Sequence, residues 1–244
     1  MKKRQSARKA LFIIMFLLFP IIIFYFSPYL IIIGAMEGIV TGSVVMFSFF
    51  FVFSLFFGRL LCGYVCPTGG LQECLMLANG KKAKGGKLNL IKYFIWVPWL
   101  TAIVILFVRA GGFTSFDFTF HTTNGISISE PYTYFIYYGV ILLIVILSLT
   151  AGRRAFCHYA CWMSPFMVIG TKISEKLKIP RLHLKADKGI CISCGKCSER
   201  CPMSLEVKKM VERESMKNSE CILCGECIDN CPKSAIKYAF NREV

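Results

Sequence analysis

The motif Cys-x2-Cys-x2-Cys-x3-Cys-Pro occurs twice: Cys191, Cys194, Cys197, Cys201 and Pro202, then Cys221, Cys224, Cys227, Cys231 and Pro232. No other feature limits the fold so tightly. A short loop carrying three thiolates at this spacing wraps one corner set of a cube, and the proline-ended turn directs the fourth thiolate away. The spacing therefore predicts two 4Fe–4S clusters with crossed ligation, one on Cys191, Cys194, Cys197 and Cys231, the other on Cys221, Cys224, Cys227 and Cys201. Zinc knuckles also use Cys-x2-Cys, but they take four ligands in two pairs and leave the third thiolate of each triple unexplained. A unit of ~50 residues also has too little core to fold well unaided, and clusters supply the missing cross-links.

The rest of the chain is of another kind. Of 244 residues, 55% are hydrophobic, against about 45–50% in soluble domains. The excess is concentrated in 10–57, 93–110 and 133–151, which are nearly free of charge. A bilayer core takes about 20 apolar residues in helical form. The expected architecture is α-helical and membrane-bound, with four transmembrane helices in two pseudo-repeated pairs near 10–30, 38–58, 92–110 and 132–151. It divides into a helical part over 1–164, a linker or amphipathic helix over 165–185 ended by Pro180, and an α+β two-cluster domain over 186–244. The basic N-terminus and first apolar run superficially resemble a signal peptide, but no small-residue cleavage site follows, so an uncleaved span is expected.

A formal net charge of +15 would on a soluble protein suggest nucleic acid. Here Lys2, Lys3, Arg4, Arg8 and Lys9 precede the first apolar run, and Arg59 with the lysines of 81–92 lies between the second and third. Most of the remaining basic residues follow Gly152. That alternation is the positive-inside pattern; it accounts for the basic excess without nucleic acid and places both termini and the cluster domain in the cytoplasm of a prokaryotic cell, below a multi-pass membrane part. The thirteen cysteines fall on that reducing side, which favours metal ligation over a disulfide scaffold.

Each half of the helical part ends in Gly-Arg and a Cys-x3-Cys pair, Cys62/Cys66 and Cys157/Cys161. Read as i,i+4 positions of a helix, each pair puts both sulfurs on one side. Two converging pairs would make a four-thiolate site for a further metal centre or cluster; redox-active thiols and a structural role are the alternatives. Arg59, Arg153 and Arg154 nearby are expected to lower the thiol pKa values. Cys74 is expected to be a buried apolar residue and His183 to lie on the surface, while His158 is a candidate for metal ligation or proton relay. His121, Asp117 and Glu130 in the outer loop, and Glu37, are candidate proton acceptors, against the simpler reading of solvated side chains. Trp96 and Trp99 are expected as interfacial anchors. The Phe47–Phe57 run is expected to face lipid, with a quinone cleft as the alternative.

Cys62-Gly63-Tyr64-Val65-Cys66-Pro67, the weaker copy Cys157-His158-Tyr159-Ala160-Cys161-Trp162 and the C-terminal two-cluster run together resemble the NapH-type membrane-bound 4Fe–4S ferredoxin family, related to the ferredoxin parts of NosR and CcoG. The second copy departs from the pattern in lacking the proline after its last cysteine. The resemblance implies a membrane electron-transfer protein passing electrons between quinol or a membrane partner and redox partner proteins, without being a terminal enzyme. Copper binding or reduction at the inner-face cysteines, and a membrane anchor or assembly subunit for a larger reductase, are the other two readings. The sequence holds no GxGxxG, P-loop or Cys-x-x-Cys-His haem motif, so no flavin, nucleotide or c-type haem site is expected and no catalytic residue is assigned.

Overall fold

The computed structural model describes residues 3–128 and 131–242; Glu130 lies outside them. The chain opens with α1 (Lys3–Leu17), α2 (Phe19–Ile22) and a 3₁₀ turn (Ile23–Phe26), followed by α3 (Pro28–Glu37) and the short strand β1 (Ile39–Thr41). Next come α4 (Gly42–Phe57), α5 (Leu60–Tyr64) and α6 (Pro67–Leu75), then a 3₁₀ turn (Gly86–Leu90) leading into α7 (Ile91–Arg109), and β2 (Ser115–Asp117). The second half runs α8 (Pro131–Ala151), α9 (Ala155–Tyr159) and α10 (Ser164–Lys176). The C-terminal lobe contains β3 (Arg181–Ala186), α11 (Lys196–Glu199), α12 (Val207–Glu212), α13 (Glu226–Asp229) and β4 (Ile236–Asn241).

Two helices, Gly86–Arg109 and Pro131–Ala151, are long and apolar enough to cross a membrane. The helix expected near 10–30 is instead in pieces, bent by 60° between Lys3–Leu17 and Phe19–Phe26. The cause is local. Pro20 and Pro28 lack an N–H and cannot continue a helix, but they suit the first turn of the next one, and they sit at the starts of α2 and α3. Irregular backbone in an apolar setting survives only if its polar groups are satisfied by protein. Side chains from distant segments do this: Ser43 Oγ donates to the Phe24 carbonyl, Trp162 Nε1 to Phe26 O at 2.9 Å and Trp99 Nε1 to Pro28 O at 3.2 Å, while Ser127 Oγ accepts from Phe24 N at 3.1 Å. Trp99, expected as an interfacial anchor, is half-buried with its indole N–H turned onto this break. The helix expected near 38–58 begins at Gly42, because residues 39–41 pair as a parallel strand with residues 115–117.

The two halves are built alike. In each a long apolar helix (α4, α8) leads to a five-residue helix bearing the first cysteine (α5, α9) and then to a shorter helix (α6, α10). The halves interlock by exchange: α10 packs on α4 and α6 on α8. Gly170 allows the first contact, since a Cβ there would overlap the Ser54 side chain. The stretch 165–185, read as a linker, is therefore largely used: α10 lies against the bundle, and β3 already belongs to the C-terminal lobe, pairing antiparallel with β4 from Arg181↔Asn241 to Ala186↔Ile236.

Candidate iron–sulfur and thiol sites

In the C-terminal lobe the two cysteine runs adopt one backbone twice. Ser193 and Leu223 are left-handed at φ 53° and 51°, and Gly195 and Gly225 both at 76°, starting α11 and α13. Each loop turns three thiols inward. Cys191, Cys194 and Cys197 line one hollow together with Cys231, and Cys221, Cys224 and Cys227 line another together with Cys201. Each thiol set thus gathers three cysteines of one run and the fourth of the other. Among the described residues no group of three or more His, Cys, Asp or Glu side chains is drawn together tightly enough to hold a single metal ion. Burial pushes Cys201 and Cys221 up to about 11 and Cys224 up to about 12, so a bound cation is needed to draw off their protons.

The two lobes meet through the short helices of the helical part. Gly63 in α5 lies so close to the Ile222–Cys224 backbone that a Cβ would overlap the Ile222 carbonyl oxygen. On the pseudo-equivalent helix α9, His158 places Nε2 3.2 Å from the Met203 carbonyl and Nδ1 2.9 Å from Asn89 Oδ1. Burial pushes its pKa down to about 4; the neutral ring has one N–H, which Nε2 can donate to the Met203 carbonyl, making it a strut between the lobes. α5 and α9 thus grip the two loops that carry the Cys201 and Cys221–Cys227 set, while the Cys191 set faces away. Gly63→Ala is expected to cost about 1–3 kcal/mol by overpacking, read as a lower unfolding midpoint and faster protease release of the C-terminal lobe.

The inner-face cysteines lie near one another. The second cysteine of each pair is not on its helix, because α5 and α9 end at Tyr64 and Tyr159. Instead the Cys66 and Cys161 amides close tight turns onto Leu61 O at 3.1 Å and Phe156 O at 2.9 Å. The i,i+4 reading is corrected accordingly; burial pushes Cys161 up, and the nearby Cys157, Cys62 and Cys66 add to that rise. Burial pushes Cys66 up to about 12. Polar groups touch the sulfurs: Gln72 Nε2 donates to Cys157 Sγ at 3.2 Å, Thr68 Oγ1 lies 3.1 Å from Cys66 Sγ, and Met167 Sδ is 3.3 Å from Cys62 Sγ. The expected lowering of thiol pKa values by arginine is overturned, because desolvation outweighs it. Arg59 and Arg154 do pull Cys62 down, but less than burial raises it. Arg153 points away, donating to the Glu199 carbonyl at 2.7 Å.

Four buried cations that looked like inner-surface charges form the seam between the lobes. Arg59 and Lys92 share Glu220, at 2.9 and 2.6 Å. Arg8 and Arg154 share Glu73, at 2.5 and 2.7 Å, and Arg8 also reaches Glu226 at 2.9 Å. Arg154 acts on Cys157 and Cys224, and Arg59 on Cys62 and Cys221, so each arginine stands between the inner-face thiols and the nearer set of the C-terminal lobe. Sequence reading missed this seam, since the acidic partners are far away in the chain.

Cys66 and Cys161 also border an apolar cavity walled by Phe19, Phe24, Phe26, Phe156 and Trp162 around the break between α2 and α3. The Phe47–Phe57 run does not line it; Phe49, Phe56 and Phe57 are exposed on the bundle surface. Cys74 is exposed and His183 buried, the reverse of the expectations. His121 and Glu37 are exposed, and the Asp117 carboxylate accepts the Thr119 amide at 2.9 Å.

Comparison with known families matches this division of the chain. A family model described as a 4Fe–4S dicluster domain covers residues 183–232, and one described as a 4Fe–4S binding domain matches twice, over 39–84 and 133–180. The chain is an iron–sulfur protein. The repeated match takes in each Cys-x3-Cys pair and none of the eight C-terminal cysteines. Relatives are distant. YccM of Escherichia coli (strain K12), provisionally named an electron transport protein, is 24% identical over 75% of this chain and 52% of its own. An uncharacterized protein of Methanocaldococcus jannaschii is 25% identical over 76% and 70%. The methylamine utilization ferredoxin-type protein MauN of Methylobacillus flagellatus is 24% identical over 66% and 53%. The chain thus spans about half the length of YccM and MauN. No solved structure matches.

Proposed function

We propose that the chain relays electrons between a carrier in the membrane and a redox partner protein. One observation carries this reading: thiol sets and cavity follow one another in a fixed order. The Cys191, Cys194, Cys197 and Cys231 set lies outermost, then the Cys201, Cys221, Cys224 and Cys227 set, then Cys62, Cys66, Cys157 and Cys161, and last the apolar cavity. Each C-terminal set would hold one 4Fe–4S cluster, and the inner-face thiols a third centre. When bound, such clusters supply one-electron storage whose potential is tuned by charge, exposure and hydrogen bonds to sulfur. The residues of this chain provide those controls: Gln72 and Thr68 beside the inner-face sulfurs, Arg59 and Arg154 between the sets.

In this reading α1 with α2, α4, α7 and α8 are the four membrane crossings, and the C-terminal lobe is cytoplasmic, on the side marked by the lysines of 81–92. The cavity beside Cys66 and Cys161 suits a lipid-soluble quinone, being apolar and set at the break in the first crossing. The names of YccM and MauN support electron transport as the function class. In lipid nanodiscs under anaerobic conditions, a short-chain quinol is expected to bleach the clusters. Absence of reduction by any quinol, with reduction by dithionite intact, would remove the quinone from the proposal.

A second reading has its own observation. Met167 Sδ beside Cys62 Sγ pairs a thioether with a thiol, the soft donors that select Cu(I). Handling of copper at this site predicts that Cu(I) changes the inner-face spectrum and that Met167→Leu abolishes the change.

A further inference from the structure

The C-terminal lobe divides its charges between two faces. Towards the helical part, Glu220, Glu226 and Asp229 are taken up by Arg59, Lys92, Arg8 and Arg4. The far side, around the outermost thiol set, keeps its basic residues. Lys188 and Lys196 are exposed on the loop that carries Cys191–Cys197, and Lys208 and Lys233 line the cavity itself. Two acids lie nearby, Asp187, which accepts the Gly189 amide at 2.9 Å, and Glu212, 3.7 Å from Lys208, so the lysines remain in the majority. Within this ring Ile190 and Ile192 stand 43% and 56% exposed beside exposed Cys194. In the nearer thiol set Cys201, Cys224 and Cys227 are buried, and α5 and α9 pack on its loops.

We propose that this tip is the docking surface for an acidic electron-carrier protein. An apolar centre with a charged rim is the anatomy of a transient protein contact, and a basic rim selects a partner of opposite sign and speeds its approach. The tip also sits where an outside carrier comes nearest to a thiol set. This inference rests on the relay reading and adds the sign of the partner to it.

The test uses the full-length protein in uncharged nanodiscs, with a reduced acidic plant-type 2Fe–2S ferredoxin as probe. Electron transfer is followed by stopped flow and normalised to clusters counted by EPR. At low ionic strength the second-order rate is expected to fall about 10–100-fold in Lys188→Glu/Lys196→Glu, and the loss of rate with added salt is expected to vanish. Lys176→Glu, on α10 away from the tip, should keep the wild-type rate. Affinity for a redox-inactive, gallium-substituted form of the probe should weaken in parallel, which a shifted cluster potential would not produce. A wild-type rate indifferent to salt, or a faster reaction with a basic cytochrome than with the acidic ferredoxin, would overturn the docking proposal and leave the relay standing. Failure of carriers of either sign, with dithionite reduction intact, would bring down the relay reading itself.

Discussion

In the Cys62→Ser/Cys157→Ser variant, iron is expected to fall from about twelve to about eight per chain, and quinol-driven bleaching of the remaining clusters is expected to disappear. The two replaced thiols come from opposite halves of the chain yet lie in one buried group with Cys66 and Cys161. Losing one from each pair leaves too few ligands for a cubane. The C-terminal thiol sets share no residue with this group, so dithionite should still reduce them to the wild-type extent. Anaerobic purification, iron counting and EPR read all three quantities on one sample. Eight irons in the wild type would exclude a third cubane. Twelve irons in both proteins would place the extra four elsewhere.

The second large effect is structural. Glu220→Gln leaves Arg59 and Lys92, 2% and 1% exposed, without their shared carboxylate. Breaking a buried pair by removing one partner costs about 3–5 kcal/mol, because the surviving charge is stranded. Two cations are stranded here, so the upper part of that range is expected, measured as the loss of stability to denaturant in detergent. Lys92→Met added to Glu220→Gln should recover part of the loss, since it withdraws one of the stranded charges. An unchanged midpoint in the single variant would mean that water reaches the site and solvates both cations.

What the sequence made legible follows from what is local. The eight C-terminal cysteines lie within two short loops, and spacing alone predicts the sharing of Cys201 and Cys231 between cavities. The repeat of Cys62/Cys66 and Cys157/Cys161 was equally visible. The path through 10–37 was not, because an apolar run reads the same whether straight or broken; hydrogen bonds with Trp99, Ser127 and Trp162, remote in sequence, help to make the break tenable. Arg8, Arg59, Lys92 and Arg154 were hidden for a related reason. A basic residue beside an apolar segment looks like an inner-surface charge, and its burial against Glu73 or Glu220 is a property of the tertiary fold alone. Cys74 and His183 were misjudged on residue type, which carries little weight against position.

The clasp made by α1 has a consequence for how the molecule is completed. Arg4 and Gln5 bind Asp229 at 2.8 and 2.6 Å, and Gln5 also donates to the Cys224 carbonyl at 3.1 Å. These partners are separated by more than two hundred residues of chain. During synthesis Arg4 and Gln5 therefore have no mate beyond the first helix until the last cysteine loop emerges. Closure of so long a loop is among the slowest contacts a chain can make, and here it engages a loop whose shape depends on metal insertion. Maturation should accordingly finish in one late event, in which cluster loading and the locking of the membrane part coincide.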